Sequence, residues 1–529
     1  MIFTRVPSAG SIRLLPPPNV YHINRHSYII GLGTVRATEL PGHLMNRNKG
    51  RDAHGKLTIA IIGGGFTGAT LAVQLLRHAT QSLSVVVIER GPTRGRGVAY
   101  GTLQGWHLLN VRAARMSALA DDPDHFLRWA QTNFDSRVGP ESFLPRRVYG
   151  QYIESLLQET EESHPAEFEW KCDQAVSLAR SGDKAEIFLH SGNTVVADKV
   201  ILALGNFPPS NPPLPGRTPN SPRYIPFAWS AAALEQVEQE SNILLIGSGL
   251  TSVDLAVALR AREFRGTIHI LSRRGLLPHK HTAVTKWPAF WNENSPKTAF
   301  GLMRLVRKQV KEAGQHGTDW RAVMNSLRPF AQRIWQSLPI QEKRRFLRHV
   351  RPYWEVHRHR IAPEIGGLIG YQLLNHHIQA HAGRIIAYLE DKDGVEVSYR
   401  DRKSGKEQQL RVDRVINCTG PETDCRRLDN PLLASLQNQQ LVRPDPLFLG
   451  LDVSPDGALI DANGAPSDFL YSVGPPRKGS LWETTAVPEI REQVAELVEH
   501  LLGISFPGAT EPAKTKLSKV LHSPVAQEV

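Results

Sequence analysis

Cysteine is scarce in this chain, which has only 3 cysteines among its 529 residues. Three cysteines cannot build a disulfide framework, and none stands in a C-x-x-C pair, which excludes thioredoxin-type dithiol chemistry. Long apolar runs are missing as well, since no stretch reaches the ~18 residues that a membrane helix needs. We therefore expect a cytoplasmic protein of about two to four domains that does not contact a membrane.

Acidic residues are rare near the N-terminus, and this shapes the net charge of +12. Residues 1–56 hold eight Lys or Arg and two acids, so half of the net charge lies in about a tenth of the chain. We expect residues 1–55 to be a disordered extension or a mis-assigned start, with a targeting or partner-binding arm as the alternatives. We also expect a disordered tail at 504–529. Because the sequence has no reading helix or aromatic platform, we predict no nucleic-acid binding.

A short apolar run, Leu57–Ile62, leads directly into the loop Gly63-Gly-Gly-Phe-Thr-Gly68. Such a run is typical of a parallel strand that is buried on both faces. In this kind of turn the first glycine permits the tight bend, the second lets the backbone approach a pyrophosphate, and the third lets helix pack on strand. The helix N-terminus then offers free N–H groups to the phosphates. We predict a dinucleotide site at Gly63, Gly65, Thr67 and Gly68.

The second strand of this unit ends on an acid. The mainly apolar run Ser84–Ile88 closes on Glu89, which follows Gly68 by 21 residues. At this position a carboxylate accepts hydrogen bonds from the ribose hydroxyls. Strand, loop, helix, strand and acid together are far more specific than a bare G-x-G-x-x-G, so Glu89 joins the predicted site.

The same unit recurs further along the chain. The run Asn242–Ile246 leads into Gly247-Ser-Gly-Leu-Thr-Ser252, in which a small serine replaces the third glycine. Serine still permits close packing of helix on strand. We predict a second dinucleotide site at Gly247, Gly249, Thr251 and Ser252.

The second unit differs where its second strand ends. Arg273, followed by Arg274, stands 21 residues after Ser252, at the offset that Glu89 has in the first unit. Arginines in place of the acid remove repulsion and supply donors for a ribose 2′-phosphate. We therefore predict NADPH rather than NADH at this site, and a solvated surface pair is the alternative.

A further internal repeat supports this organisation. Residues 197–205 and 412–420 share a pattern of Asp, a basic residue, an apolar run and a terminal glycine. These glycines would end core strands where the chain passes a bound nucleotide. The sequence thus predicts an α/β fold with two Rossmann-like dinucleotide-binding domains, as in the two-dinucleotide-binding flavoproteins.

Several stretches outside the loops match one family. They are Gly95–Gly101, Leu108–Val111, Pro145–Gly150, Trp354–Pro363, Asn417–Pro421 and Val473–Arg491. On these stretches and the two loops, the chain resembles the bacterial FAD/NAD(P)-binding protein family over roughly residues 57–502. More distant kin are flavin monooxygenases that hydroxylate the amines of ornithine, lysine or aspartate. The resemblance implies FAD at the first site and NADPH at the second.

The resemblance also implies a layout and further cofactor contacts. The FAD-binding domain would occupy 56–225 and return at 414–503. The NADPH-binding domain would occupy 240–413, with a basic helical insert at about 275–380. Arg96 would lie in a loop that wraps a pyrophosphate, and Asn110 would face the flavin's polar edge, unless both belong to plain turns. In the return segment we expect Gly474 and Trp482 near the flavin, with a core position as the alternative for Trp482.

The end of the insert is strongly basic. We predict an anion-binding face at His357, Arg358, His359 and Arg360, for a substrate carboxylate or the cofactor's phosphates. A solvated basic surface is the alternative. No nearby acid or cysteine completes a ligand set with the two histidines, so we predict no metal.

A flavin beside a nicotinamide site implies hydride transfer from NADPH to FAD. With O2 as acceptor, a flavin hydroperoxide would oxygenate a small amine or amino-acid-like substrate, which makes a monooxygenase the leading prediction. The alternatives are a reductase or oxidase with another acceptor and a low-turnover regulatory subunit. The F-x-G-x-x-x-H pattern is missing, which counts against ketone oxygenation. Because the flavin carries the chemistry, we assign no catalytic acid, base or nucleophile.

Overall fold

The computed structural model describes residues 56–165, 167–235 and 237–505. The predicted extension at 1–55 and nearly all of the predicted tail at 504–529 lie outside these residues. Among the described helices, none has the length and the apolar character that crossing a membrane requires.

The strands of the described residues fall into three sheets. In chain order they are β1 (Leu57–Ile62), β2 (Leu83–Glu89), β3 (Phe168–Cys172), β4 (Ala175–Ser181), β5 (Lys184–Leu189), β6 (Thr194–Ala197), β7 (Lys199–Leu202), β8 (Tyr224–Ile225), β9 (Ile243–Ile246), β10 (Ile268–Ser272), β11 (Ile378–Asp391), β12 (Gly394–Asp401), β13 (Glu407–Val412), β14 (Arg414–Asn417), β15 (Ala458–Ile460) and β16 (Pro466–Ser472).

The α-helices of the described residues pack on these sheets or form the insert. They are α1 (Phe66–His78), α2 (Gly97–Tyr100), α3 (His125–Asn133), α4 (Arg146–Ser163), α5 (Ala232–Glu235), α6 (Leu250–Ala261), α7 (Ala299–Gln315), α8 (Trp320–Ser326), α9 (Ala331–Ser337), α10 (Ile340–Arg345), α11 (Arg351–Arg358), α12 (Pro363–Leu374), α13 (Pro431–Asn438), α14 (Lys478–Leu481) and α15 (Val487–Leu502). A π-helical turn, Phe346–Val350, joins α10 to α11.

The first sheet has the strand order β15-β16-β7-β1-β2-β3, and β16 to β3 run parallel. Strand β1 is central because its apolar residues are buried on both faces. Ile59 and Ile61 pack into the core under α1 and α15, while Ala60 and Ile62 pack into a second core on the opposite face. This alternation is the period of two that a buried strand imposes.

The second sheet has the order β13-β12-β11-β10-β9-β14-β8. Strands β8, β14, β9, β10 and the start of β11 are parallel, and the long β11 continues into an antiparallel meander with β12 and β13. Strand β9 is again central and buried on both faces. The arrangement repeats that of the first sheet, as the two similar loops predict.

The ends of the domains differ by a few residues from the predicted segments. We assigned residues up to 225 and from 414 onward to the first domain, but β8 and β14 pair in the second sheet. The physical reason is that β14 is an inner strand of the second domain. Its run Val415-Ile416-Asn417 is almost fully buried beside β9. The chain therefore returns to the first domain after β14.

The third sheet, β4-β5-β6, is antiparallel and packs on the first domain. The helical insert, α7 to α11, follows β10. Two aromatic clusters form its core, and one of them includes Trp482 from the return segment. The insert thus touches both the first and the second domain.

Candidate functional site

Three glycines shape the first loop. Gly63 has a φ of +107°, and a Cβ there would lie 2.3 Å from the carbonyl oxygen of Ala203. A Cβ on Gly68 would lie 1.9 Å from the carbonyl oxygen of Gly63. Gly65 caps α1 and has the backbone of Gly97 as its nearest neighbour, 3.4 Å from a Cβ position. The loop therefore presents bare backbone at the start of a helix, which suits a phosphate.

Glu89, the predicted ribose ligand, holds this loop in place. Its Oε2 accepts a hydrogen bond from the Gly64 N–H at 2.7 Å, and its Oε1 accepts one from the Gly91 N–H at 3.0 Å. A carboxylate has about four acceptor positions, so the side chain keeps capacity for ribose hydroxyls.

Arg96, predicted to lie in a pyrophosphate-wrapping loop, is paired within the protein. Its Nε and Nη2 donate to the two carboxylate oxygens of Glu154 on α4, each at 2.5 Å. These hydrogen bonds raise the pKa of Arg96. The pair anchors the segment that brings Gly97 against Gly65. At this loop a phosphate would meet backbone rather than the guanidinium.

The return segment meets the first loop at Gly474. This glycine has a φ of +83°, and a Cβ there would lie 3.1 Å from Oγ1 of Thr67. Its N–H donates to Oε1 of Gln493 on α15 at 3.0 Å. Thr484, just before α15, is fully buried, and its Oγ1 has no hydrogen-bond partner among the described residues. The two predicted residues, Gly474 and Thr67, thus adjoin.

Trp482 takes the alternative, core position. It is 5% exposed and stacks on Trp335 of the insert, with ring centroids 4.9 Å apart. Phe346 packs edge-on against the same ring at 5.2 Å. Trp482 has a φ of +66°, an uncommon conformation for a bulky residue. Its side chain therefore anchors the return segment to the insert.

The second loop repeats the first with one informative change. Gly247 has a φ of +111°, and a Cβ there would lie 2.4 Å from the carbonyl oxygen of Cys418. Gly249 caps α6 and has nothing within 4 Å of a Cβ position. Ser252 is buried, and its Oγ donates to the carbonyl oxygen of Gly247 at 2.6 Å. Thr251 lies in the first turn of α6, half-buried. The open space at Gly249 is where a pyrophosphate would approach.

A large cleft opens at this second loop. It has a volume of about 1340 Å³ and is lined by Ser248 and Gly249. Eight arginines line it against three carboxylates, so its field attracts anions. The arginines are Arg273, Arg274, Arg348, Arg351, Arg384, Arg400, Arg402 and Arg427. Both arginines predicted to bind a 2′-phosphate therefore lie in the cleft.

The four residues of the predicted anion-binding face are not a solvated surface. Arg358 and Arg360 are 7% and 3% exposed. Arg358 donates to Glu489 at 2.7 Å and lies 3.6 Å from Glu483, while Arg360 donates to Asn325. Burial lowers the pKa of Arg360 to about 10.

The two histidines of that face point to different surroundings. Nε2 of His359 lies 3.5 Å from Glu355 and 3.8 Å from Glu483. The His357 ring contacts His279 and Trp320, each at 4.7 Å between centroids. The structure therefore does not bring the four side chains to one ligand position.

Two histidines at the contact between the domains escaped the sequence analysis. Nε2 of His107 donates to the carbonyl oxygen of Asp254 on α6 at 3.1 Å, and Arg146 forms an ion pair with the Asp254 carboxylate at 2.8 Å. Likewise, Nε2 of His281 donates to the carbonyl oxygen of Asn110 at 3.1 Å. Burial lowers the pKa of His107 to about 4 and that of His281 to about 3. Only the folded chain brings these distant residues together, so no local pattern marks them.

The residues fit the two expected cofactors. Bare glycine backbone at the first loop and Glu89 would hold FAD, and the open space at Gly249 with Arg273 would hold NADPH. Among the described residues, no group of three or more His, Cys, Asp or Glu is arranged to hold a metal ion.

Comparison with known proteins supports this interpretation. Residues 60–207 match the model of a family described as FAD-NAD(P)-binding, which confirms the predicted binding of FAD and NAD(P). No curated protein sequence matches the chain significantly.

Solved structures share the fold over most of the chain. A FAD-bound cadaverine monooxygenase from Erwinia amylovora is 13% identical, with 89% of this chain and 99% of that chain covered and a TM-score of 0.60. Ornithine N-hydroxylase from Kutzneria sp. 744 is 12% identical, with 84% and 98% covered and a TM-score of 0.58. L-lysine 6-monooxygenase from Pseudomonas syringae is 16% identical, with 84% and 98% covered and a TM-score of 0.55. The chain therefore has the fold of the two-dinucleotide-binding flavoproteins, as predicted.

Proposed function

We propose that this protein is an FAD-dependent monooxygenase that takes hydride from NADPH and hydroxylates the nitrogen of a small amine. The observation that carries the proposal is the arginine-lined cleft at the second dinucleotide loop. The same chain has a first loop within the segment that matches the FAD-NAD(P)-binding family model. The cleft supplies cations where an NADH site would carry an acid.

The fold supports oxygenation, and the cysteines argue against a disulfide reductase. The three structures named above, with TM-scores of 0.55 to 0.60, are amine or amino-acid monooxygenases. The described cysteines are all free, and Cys418 and Cys425 are buried. Burial raises the pKa of Cys418 to about 12 and that of Cys425 to about 11, so neither thiol is poised for dithiol exchange.

The bound cofactors would supply the redox chemistry, with NADPH as hydride donor and the flavin as the group that passes electrons to O2. The chain's residues bind, orient and shield them. Arg273 and Arg274 would bind the 2′-phosphate, and Glu89 would fix the ribose of FAD. The buried return segment, which meets the first loop at Gly474, would help to close the flavin region to water.

The experiment is an anaerobic titration of the purified, FAD-loaded protein with NADPH and, separately, with NADH, followed in the visible spectrum. We expect NADPH to bleach the flavin at least about 10 times faster than NADH. Air is then admitted with ornithine, lysine, cadaverine or n-decylamine, and hydroxylamine products are measured. Bleaching without any hydroxylamine product would favour a reductase or oxidase. A protein that binds no FAD would overturn the proposal.

A further inference from the structure

The helical insert encloses a second cavity, whose chemistry differs from that of the arginine-lined cleft. Its volume is about 550 Å³. Five of the ten tryptophans of the chain line it, namely Trp291, Trp320, Trp335, Trp354 and Trp482. Four of them come from the insert and one from the return segment.

The rest of the wall is also apolar. Arg307, Tyr353 and His357 are the polar exceptions among the described lining residues, apart from the indole nitrogens. The Trp335 indole N–H donates to the carbonyl oxygen of Gly479, and that of Trp354 donates to Glu483. Because these two donors are already satisfied, the rings of Trp335 and Trp354 offer mainly apolar surface to an occupant. A charged group held in the middle of the cavity would lose its hydration without a partner.

The cavity is much larger than a packing defect. Protein interiors are close-packed, with few voids larger than a water molecule. Clefts of about 300–1,000 Å³ that are lined by hydrophobic and aromatic side chains, with a few polar groups, hold small organic molecules. An aromatic ring system or an alkyl chain matches this wall.

One helical wall separates the cavity from the arginine-lined cleft. Along Phe346–Arg358, Arg348, Arg351 and Val356 face the cleft, whereas Val350 and Tyr353 face the cavity. Arg274, in the cleft, donates to the Tyr353 hydroxyl at 3.1 Å through this wall. The cavity thus adjoins the site that would bind NADPH.

Another wall of the cavity belongs to the return segment. Trp482 lines the cavity, and Gly474 of the same segment lies against Thr67 of the first loop. One segment of the chain therefore contributes both to the cavity and to the first dinucleotide site.

His357 offers a polar end to this cavity. Its Nδ1 lies 2.7 Å from the carbonyl oxygen of Tyr353, and a carbonyl oxygen only accepts. The ring therefore donates through Nδ1, and Nε2 is the ring nitrogen that remains for a polar group of an occupant.

We propose that this cavity is the subsite for the apolar part of the substrate, so that the substrate is an amine with an aromatic ring or a medium-length alkyl chain. The inference rests on the proposed function for the amine and on the cavity for the apolar group. It places the specificity of the enzyme in the tryptophan-lined insert.

The test is binding of N-phenyl-1-naphthylamine, a neutral fluorescent arylamine, to the FAD-loaded protein. We expect saturable binding at one site. We expect n-decylamine to displace the probe at least about 100 times more strongly than n-butylamine, because each buried methylene adds to the affinity. Absence of saturable binding, or equal displacement by the two amines, would overturn the inference.

Variants on α7 locate the binding. Val306→Trp places an indole in the cavity, and we expect it to weaken probe binding at least about 10-fold. Lys308→Trp adds the same ring on the exposed face of the same helix and should leave binding unchanged. If Val306→Trp does not fold, as judged by circular dichroism, Val310→Trp serves in its place. Binding to the folded variant with wild-type affinity would contradict the assignment.

The flavin spectrum separates this inference from the proposed function. Bleaching by NADPH in the wild type without probe binding would refute the cavity assignment alone. Probe binding that is sensitive to Val306→Trp, in a protein that NADPH cannot bleach, would refute the proposed function and leave the cavity as an apolar binding site.

Discussion

The two dinucleotide units of this chain have the same strand, loop and helix, yet they hold their loops differently. In the first unit a Cβ on Gly68 would lie 1.9 Å from the carbonyl oxygen of Gly63. In the second unit Ser252 occupies the corresponding position, and its hydroxyl donates to the carbonyl oxygen of Gly247. The same fold therefore excludes a side chain at one loop and uses one at the other.

The acid at the end of the second strand shows a parallel difference. In the first unit Glu89 accepts the Gly64 N–H and so holds its own loop. In the second unit Ser272 occupies this position and supports the loop, since its hydroxyl accepts the Gly275 N–H and donates to the Ser248 hydroxyl, which in turn donates to the carbonyl oxygen of Leu276. Arg273, the next residue, does not support the loop and instead lines the cleft. In the second unit, therefore, one residue, Ser272, supports the loop and another, Arg273, is free to bind the ligand.

We expect the largest effect from a substitution in the first loop. We expect Gly68→Ala to destabilise the protein by about 3 kcal/mol and to abolish FAD retention, because its methyl group has no space beside Gly63. Ser252→Ala removes only one hydrogen bond from the second loop and should cost about 1 kcal/mol. Denaturant unfolding and the flavin content of the purified protein measure both effects. Equal costs for the two substitutions would contradict the contrast between the loops.

A second prediction sharpens the contrast between Glu89 and Arg273. We expect Arg273→Ala to raise the KM for NADPH by about 10- to 100-fold, the range for losing a charged hydrogen bond of ~1.5–3 kcal/mol. The KM for NADH should not change, because NADH has no 2′-phosphate. Arg265→Ala, an exposed arginine outside the cleft, is the matched control.

In the strand register Ser272 corresponds to Glu89, and Arg273 is the next residue. Arg273→Glu therefore places an acid beside the position of Glu89, where it would repel a 2′-phosphate, and should shift the preference further toward NADH. Steady-state flavin reduction with each nucleotide provides the readout. An equal loss of flavin reduction with both nucleotides would show that Arg273 does not bind the 2′-phosphate.

A smaller effect concerns the contact between the two units. The folded pKa of His107 is about 4, below its usual 6.5, so the folded state favours the neutral ring. The stability from this group is present above pH 6.5 and is lost as the pH falls toward 4, because the unfolded chain takes up the proton first. We expect the advantage of the wild type over His107→Gln in unfolding free energy to shrink by about 2 kcal/mol between pH 7 and pH 4.5. A constant difference at the two pH values would argue against this role.

Local patterns predicted most of the elements that carry the site. The apolar periodicity of residues 300–313 predicts a helix, which is α7, Ala299–Gln315, and the run at 469–473 predicts a strand, which is β16, Pro466–Ser472. Residues 320–338 have a periodicity that also predicts a helix, but the structure divides them into α8, a 3₁₀ turn at Arg328–Phe330 and α9. Pro329 lies in that turn, and proline disrupts a continuous helix.

The roles of single side chains were harder to predict where their partners come from distant segments. Arg358 reads as a solvated or ligand-binding cation in a basic run, but Glu483 and Glu489 of the return segment meet it in the folded chain. Trp482 takes the core position, with Trp335 of the insert stacked on its ring, and its contact with the flavin stays a prediction. Neither contact has a signature in the local spacing of residues.

The two dinucleotide loops, their glycines and the replacement of Glu89 by the run Ser272-Arg273-Arg274 follow from the sequence alone, because they depend on residues within about thirty positions of one another. The tryptophan-lined cavity that α7 to α11 form beside the arginine-lined cleft is visible only in the folded chain. The physical reason is that backbone turns and buried strands follow local steric rules, whereas a cavity is the space that distant elements leave when they pack. Its size and lining depend on side chains far apart in the chain, such as Trp291 and Trp482.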